Sequence, residues 1–279
     1  MSQSKGLVIL AYSGGLDTSC ILVWLKEQGY DVIAYLVRQF FKDSKSVYIE
    51  DLRREFVEEF IWPSVQAGAL YEDRYLLGTS LARPCIAQKQ MEIALREEAQ
   101  FVSHGATGKG NDQIRFELTY FALSPRIKIL APWRMPEFYT RFQGRSDLME
   151  YAKDHGIPVP ATPSNPWRAG TTLVGLGPLN HPPPSIYKKT RDPASAPDCP
   201  DTLEIKFKKG VPVKVTNMKD GAVYHTSLEL FIYLNEIAGK HGVGRIDIVE
   251  NRFIGMKSRG NCFLLRTFPV AVILYLHNM

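Results

Sequence analysis

Ala11-Tyr12-Ser13-Gly14-Gly15-Leu16-Asp17-Thr18-Ser19 is the stretch from which the fold is read. The apolar run Leu7 to Ala11 before it has the pattern of a strand buried on both faces. After it, Leu16, Cys20, Ile21, Val23, Trp24 and Leu25 recur as on one face of a helix. Strand, Ser-Gly-Gly turn and helix in that order put the turn at the carboxyl end of a strand, where open α/β sheets bind ligands. Gly14 and Gly15 tolerate positive φ and let a ligand approach bare main chain. Ser13, Thr18 and Ser19 add hydroxyls. The helix start adds N–H groups without intrahelical acceptors and a partial positive charge. These are the properties of a phosphate cradle.

A Walker loop needs G-x-x-x-x-G-K-[ST] and a dinucleotide turn G-x-G-x-x-G, and this stretch is neither. Ser-Gly-Gly-x-Asp-Thr behind a first strand resembles the pyrophosphate loop of the N-type ATP pyrophosphatases, which cleave ATP to AMP and pyrophosphate. From the residues alone, a glycine-rich turn with a serine cap stays open. A second loop, His104-Gly105-Ala106-Thr107-Gly108-Lys109-Gly110-Asn111-Asp112-Gln113-Ile114-Arg115, follows the short strand Phe101 to His104. Its closely spaced glycines admit a ligand to the backbone. Thr107, Asn111, Asp112 and Arg115 offer a hydroxyl, an amide, a carboxylate and a guanidinium, the last three within one helical turn. A helix capped by an acidic first turn accounts for Asp112 but not for the glycines and Lys109.

The 279 residues, 45% hydrophobic and 23% charged, suit one large or two ordinary globular domains. A net charge of +5, spread along the chain, fits anionic small substrates as well as nucleic acid. Lys206-Phe207-Lys208-Lys209 alternates with apolar neighbours and reads as a solvated strand face, so no nucleic-acid partner is expected. Cys20, Cys85, Cys199 and Cys262 are far apart without a C-x-x-C, which argues against a metal site and for a reducing, cytoplasmic compartment. Met1 to Gly6 is too short and polar for a signal peptide, and Val270 to Leu276 too short to cross a bilayer.

Asp31 to Val37 reads as a second strand, closing a βαβ unit. Ser46 to Ile49 looks like a third strand. The intervening stretch is too short for the usual parallel crossover, so a damaged or irregular sheet edge is expected there. Leu52 to Trp62 is helical and stops at Pro63. Thr79 and Ser80 sit as caps before a helix from about Ile86 to Glu98. Ile127 to Leu130 is a strand and Arg145 to His155 a helix. Prolines crowd residues 157–200. Thr202 to Phe207 and Val211 to Val215 form a hairpin around Lys208-Lys209-Gly210, and Leu228 to His241 an amphipathic helix. Ile246 to Gly255 is a strand and turn, and after Gly260 the pattern dissolves.

Four blocks in order, Ala11 to Ser19, Leu76-Leu77-Gly78-Thr79-Ser80-Leu81-Ala82-Arg83-Pro84, His104 to Asp112 and Arg245 to Gly260, resemble the argininosuccinate synthases of animals. The resemblance implies an α/β fold. A Rossmann-like, parallel-sheet nucleotide-binding domain spans residues 1–160, a Pro-rich irregular linker 161–200, and an incomplete α+β synthetase domain 201–279. It implies a ligase that joins citrulline to aspartate through a citrullyl-AMP intermediate, at the expense of ATP, in arginine biosynthesis and the urea cycle. ATP, with Mg²⁺ carried on its phosphates, would be held by Ala11, Tyr12, Ser13, Gly14, Gly15, Leu16, Asp17, Thr18, Ser19 and Val37. Ser103, His104, Gly105, Ala106, Thr107, Gly108, Lys109, Gly110 and Asn111 would complete that site. Citrulline would meet Tyr75, Ser80, Asn111, Arg115 and Glu250, and aspartate Thr107, Asn111 and Asp112. Asp112 and Arg115 are the candidate catalytic residues, and no protein-held metal is implied.

The chain departs from the family at four places. Val37 to Lys45 replaces a loop and crossover helix. Arg168 follows Asn165-Pro166-Trp167 where the family has serine. Ala169 to Pro184 replaces a segment with a second citrulline-binding serine, and Cys262 stands for a citrulline-binding tyrosine. Three lost neutral hydrogen bonds at about 1 kcal/mol each amount to roughly two decades in citrulline affinity. The chain is also expected to be truncated, lacking the C-terminal arm on which the family's homotetramer relies. The alternative is a catalytically inactive homologue that at most binds nucleotide. A third possibility, an RNA-thiolating enzyme with the same loop, requires a reactive cysteine; Cys20 instead reads as core.

Overall fold

The computed structural model describes residues 3–37, 47–72, 75, 77–108, 110–158, 174–175, 189–251 and 257–263, with 174–175, 246–251 and 257–263 described by backbone alone. In chain order the first elements are β1 (Leu7–Ala11), α1 (Leu16–Glu27), β2 (Asp31–Val37), β3 (Val47–Glu50), α2 (Arg53–Glu55), a π-helical turn (Phe56–Ile61) and α3 (Trp62–Gln66). Then come α4 (Gly78–Arg96), β4 (Phe101–His104), α5 (Asn111–Leu123), β5 (Lys128–Leu130), a 3₁₀ turn (Pro132–Arg134), α6 (Pro136–Tyr139) and α7 (Arg145–Asp154). Beyond these lie β6 (Val174–Gly175), a 3₁₀ turn (Pro193–Ser195), β7 (Leu203–Lys208), β8 (Val211–Asn217), β9 (Val223–Tyr224), α8 (Ser227–Lys240), β10 (Arg245–Asn251) and β11 (Lys257–Phe263). The chain forms two compact units, Met1–Leu52 with Arg83–Pro166, and Arg53–Ala82 with Trp167–Met279.

The first unit is built on a parallel sheet of order β3-β2-β1-β4-β5. Val8, Ile9 and Leu10 of the central strand are fully buried, which is why β1 is apolar without alternation. Leu16, Cys20, Ile21, Trp24 and Leu25 turn α1 onto the core, joined by Phe138, Phe142, Leu148 and Tyr151. Gly29, at φ +88°, ends α1, with the Tyr30 N–H returning to the Leu25 carbonyl at 3.1 Å. The buried Gln90 amide of α4 donates to the Ile9 and Ser103 carbonyls at 2.8 and 2.9 Å and accepts from Tyr120 OH at 2.6 Å. One side chain thus ties α4 to β1, β4 and α5.

Three expectations need correction. The β2–β3 edge is regular in register over Ala34↔Val47 to Val37↔Glu50, although only residues 38–46 join the strands. Nine residues can reach about 30 Å, more than twice the length of a four-residue strand, so a return without a crossover helix is long enough. The stretch 38–46 itself lies outside the described residues. The helix after Leu52 does not stop at Pro63 but runs to Gln66. The Trp62 N–H donates to Val57 O five residues back, and this wider turn leaves Pro63 in an N-terminal position where its missing N–H is harmless. Thr79 and Ser80 are not caps, because α4 starts at Gly78 and continues through Pro84, giving up only the bond to the Ser80 carbonyl.

In the second unit β7 and β8 pair antiparallel and β9 joins β8. The hairpin turns at Lys209 and Gly210, both at positive φ (53° and 77°), as the right-handed strand twist demands. Thr226 caps α8, accepting from the Glu229 N–H at 3.4 Å. Val57, Ile61, Trp62 and Val65 pack with Val215, Leu230, Phe231 and Leu234. β10 and β11 pair in register from Arg245↔Phe263 to Asn251↔Lys257, with β6 on the outer edge of β11. Ordered strand therefore extends through Gly260 to Phe263, past the point where the sequence pattern fades, because the backbone ladder does not need apolar alternation. Among the described residues no helix is long and apolar enough to cross a membrane.

Candidate functional site

The strand order reverses between β1 and β4, and this is where open α/β sheets leave a crevice for ligands. Ala11 and His104 pair at the ends of these strands, so both glycine-bearing turns leave the same edge of the sheet side by side. In the first turn Thr18 Oγ1 donates to Gly15 O at 3.3 Å and accepts from the Ser13 N–H at 3.2 Å and the Ser13 hydroxyl at 3.0 Å. The Gly15 N–H closes the loop onto Ser13 Oγ at 3.3 Å. Tyr12 OH lies 2.8 Å from Ser19 Oγ. Gly14 sits at φ +72°, and a side chain there would meet open space; the glycine is required by its backbone, not by room. Gly15 is the extended N-cap of α1, whose first turn faces the crevice with its N–H groups.

Close approach governs the second turn. A β-carbon on Gly105 would lie 2.6 Å from Thr18 Cγ2, and one on Gly108 would lie 2.9 Å from the Trp133 carbonyl oxygen. The Gly110 N–H donates to Thr107 O at 3.3 Å, and Asn111, buried, opens α5. His104, at the end of β4, is wholly buried and stacked on Phe116 at 5.5 Å. Its Nδ1 lies 3.3 Å from the Ala106 N and its Nε2 3.3 Å from Glu117 Oε1. Glu117 also accepts from Arg134 Nη1 at 3.0 Å. Burial raises the Glu117 carboxyl pKa, but hydrogen bonds from His104 and Gln113 and the charge of Arg134 outweigh it and hold it below its usual value.

Asp112 sits between two guanidinium groups, Arg83 Nη2 at 2.9 Å from Oδ2 and Arg115 Nη1 at 3.3 Å from Oδ1. Arg115 follows from helical spacing. Arg83 does not, since α4 brings it across 29 residues of sequence. Arg83, Glu117 and Arg134 are the residues that sequence reasoning missed. The one available signal was Arg83's place inside the block around Ser80.

Of the other candidates, Val37 is exposed at the end of β2, on the same edge of the sheet as Ala11. Ser103 is fully buried on β4, and its hydroxyl has no partner among the described residues. The buried Ser80 hydroxyl, in the first turn of α4, likewise has none. Tyr75 is buried and bridged to Tyr71 through paired backbone hydrogen bonds of 2.9 Å. Tyr75 and Ser80 belong to the second unit. Glu250 stands on β10, its side chain outside the description, and Lys109, Arg168 and residues 169–173 and 176–184 lie outside the described residues. Cys20 is buried with its thiol pushed up to about 11, first by burial and then by the charge of Asp17, so it is no sulfur nucleophile. Among the described residues no group of three or more His, Cys, Asp or Glu is arranged to hold a metal ion.

Two glycine turns thus leave neighbouring strand ends, and Asp112 with its two guanidinium partners opens the helix after the second. Residues 7–158 match the family model of the arginosuccinate synthase N-terminal HUP domain, and residues 171–276 that of the arginosuccinate synthase C-terminal domain. Argininosuccinate synthase from Homo sapiens is 66% identical over 98% of this chain and 70% of its own length. The Xenopus laevis enzyme is 65% identical over 99% of this chain and 71% of its own. A solved structure described as a predicted tRNA methyltransferase subunit from Methanocaldococcus jannaschii covers 54% of this chain and 88% of that one, at 16% identity and a TM-score of 0.30, too slight to weigh here. With two family models covering most of its length and relatives at this identity, the chain belongs to the argininosuccinate synthase family, the ligases of arginine biosynthesis.

Proposed function

We propose the following division of labour for the family's reaction. ATP places its phosphates on the turn from Ala11 to Ser19, with Val37 and the turn from Ser103 to Asn111 completing the nucleotide site. Mg²⁺ carried on those phosphates would supply charge neutralisation for the departing pyrophosphate. Tyr75, Ser80, Asn111, Arg115 and Glu250 hold citrulline. Thr107, Asn111 and Asp112 hold aspartate, the Asp112 carboxylate facing its ammonium group. The ureido oxygen of citrulline attacks the α-phosphorus, forming the P–O bond of citrullyl-AMP and breaking the bond to pyrophosphate. The aspartate amine then attacks the activated carbon, AMP leaves, and the amine's proton is lost. Positioning does most of the work, because two bimolecular encounters become nearly unimolecular. A cytoplasmic location and a place in the urea cycle belong to the same reading.

The observation that carries it is the pairing of Ala11 with His104, which sets two glycine turns at one edge of the sheet, with Asp112 in the first turn of the helix that follows the second. The unpartnered buried hydroxyls of Ser80 and Ser103 also fit sites that expect a polar ligand. The test is citrulline-dependent exchange of labelled pyrophosphate into ATP. Exchange that needs citrulline supports the reading. Folded protein whose melting midpoint rises with Mg-ATP but which exchanges nothing would favour the inactive, nucleotide-binding alternative, for which the comparisons offer no support.

A further inference from the structure

We propose that His104 is the positioning residue of the second turn: a neutral imidazole with its proton on Nε2, it fixes the Ala106 amide through Nδ1 and is anchored by the Glu117 carboxylate. The tautomer follows from the partners. A backbone N–H only donates, so the Nδ1 that lies 3.3 Å from Ala106 N must be bare. A carboxylate only accepts, so the Nε2 at 3.3 Å from Glu117 Oε1 must carry the hydrogen. An imidazolium would set a second donor against the Ala106 N–H. The ring cannot turn away, being fully buried and stacked on Phe116.

Glu117 is fixed in turn by Arg134, which belongs to the 3₁₀ turn whose Trp133 carbonyl backs onto Gly108. The relay from Arg134 through Glu117 to His104 therefore braces the turn from below at Ala106, while Trp133 braces it at Gly108. The Ala106 amide is spent on the imidazole and is not a phosphate donor. The Thr107 hydroxyl and the Asn111 amide that follow take their direction from this fixed point. The effect on ATP rests on the nucleotide reading above; the tautomer does not.

Long-range proton–nitrogen correlation spectra of the whole chain, with the His104 signals assigned by their loss in His104→Gln, test the tautomer. Protonated Nε2 and bare Nδ1 at neutral pH are expected; the opposite tautomer, or an imidazolium, overturns the proposal. Kinetics test the positioning. A glutamine amide reaches where Nε2 was and an asparagine amide where Nδ1 was. His104→Gln should raise the KM for ATP about fivefold, the worth of one lost hydrogen bond, with kcat changed less than about twofold. His104→Asn, which again offers an acceptor to Ala106, should recover most of that loss. Equal losses in both variants would mean that the ring merely fills space. If the unaltered chain shows no thermal shift with Mg-ATP, the nucleotide reading fails, and the spectrum alone still decides the tautomer.

Discussion

Gly105 packs against Thr18 so closely that a β-carbon on it would sit 2.6 Å from Thr18 Cγ2. Two stretches read separately as glycine-rich turns are thus one packed structure, the second turn lying on the first helix. Its φ is not in the left-handed region, so the demand for glycine at 105 is steric. Gly105→Ala should destabilise the chain by about 1–3 kcal/mol, the usual cost of overpacking. Thr18→Ser removes the offending methyl and keeps the hydroxyl that organises the first turn. The double variant should regain at least about 1 kcal/mol over additivity in urea unfolding. Strictly additive losses would show that the clash is relieved elsewhere.

Arg83 matters through Asp112. The two form the shorter of the contacts around that carboxylate, 2.9 Å against 3.3 Å for Arg115. Arg83→Met keeps much of the apolar stem and removes the charge. It should raise the KM for aspartate about tenfold and leave the KM for ATP within about twofold, as loss of one charge-assisted hydrogen bond predicts. A larger change for ATP than for aspartate would place Arg83 in the nucleotide site instead.

A cluster at the far end of α1 makes stability depend on pH. Glu27 accepts from His155 at 2.8 Å, Tyr151 OH at 2.9 Å and Arg141 at 3.2 Å. His155 Nδ1 faces the Tyr151 carbonyl at 2.9 Å, so both ring nitrogens meet acceptors, which favours the protonated ring. The bond to the Tyr151 carbonyl, then that to Glu27, raises the His155 pKa above its ordinary 6.5. Its stabilisation is complete below 6.5 and fades as pH climbs through the folded-state value. For Glu27, burial opposes ionisation, but Tyr151, His155 and Arg141 prevail and lower its pKa below 4.5. Its contribution holds above 4.5 and is lost on acidification. The melting midpoint should fall on the alkaline side of 6.5, and His155→Gln should flatten that limb while weakening the acid one only in part, since Tyr151 and Arg141 still hold Glu27. An unchanged alkaline limb would assign the effect to other groups.

Thiol reactivity should divide the cysteines. Cys199 is exposed, whereas Cys20 and Cys85 are buried and the Cys20 thiol is pushed up to about 11. With iodoacetamide at pH 8, peptide mapping should find Cys199 alkylated in the folded chain, and Cys20 and Cys85 only after denaturation. Rapid labelling of Cys20 would mean that α1 opens from the core far more readily than its packing implies.

Much of this was legible in the residues because it is written over short spans. Leu7 to Ala11 is apolar throughout because both faces are covered, and the spacing from Leu16 to Leu25 is that of a helix lying on the sheet. Lys209-Gly210 announced its hairpin by turn chemistry alone. Local rules misled at Pro63, where a π turn absorbed the missing donor, and at Thr79 and Ser80, which lie inside a helix that passes Pro84 by giving up a single bond.

By itself the amino-acid order determined the local chemistry: two glycine turns behind strands and, opening the helix after the second, an amide, a carboxylate and a guanidinium. Only the tertiary structure decided that β1 and β4 are neighbours, that Gly105 must make room for Thr18, that Arg83 reaches Asp112, and that His104 lies between the Ala106 amide and Glu117. The reason is one of range. Dihedral preferences and hydrophobic period act over a few residues, whereas strand order and partners across the sheet are chosen by burial of the whole core, which no single segment encodes.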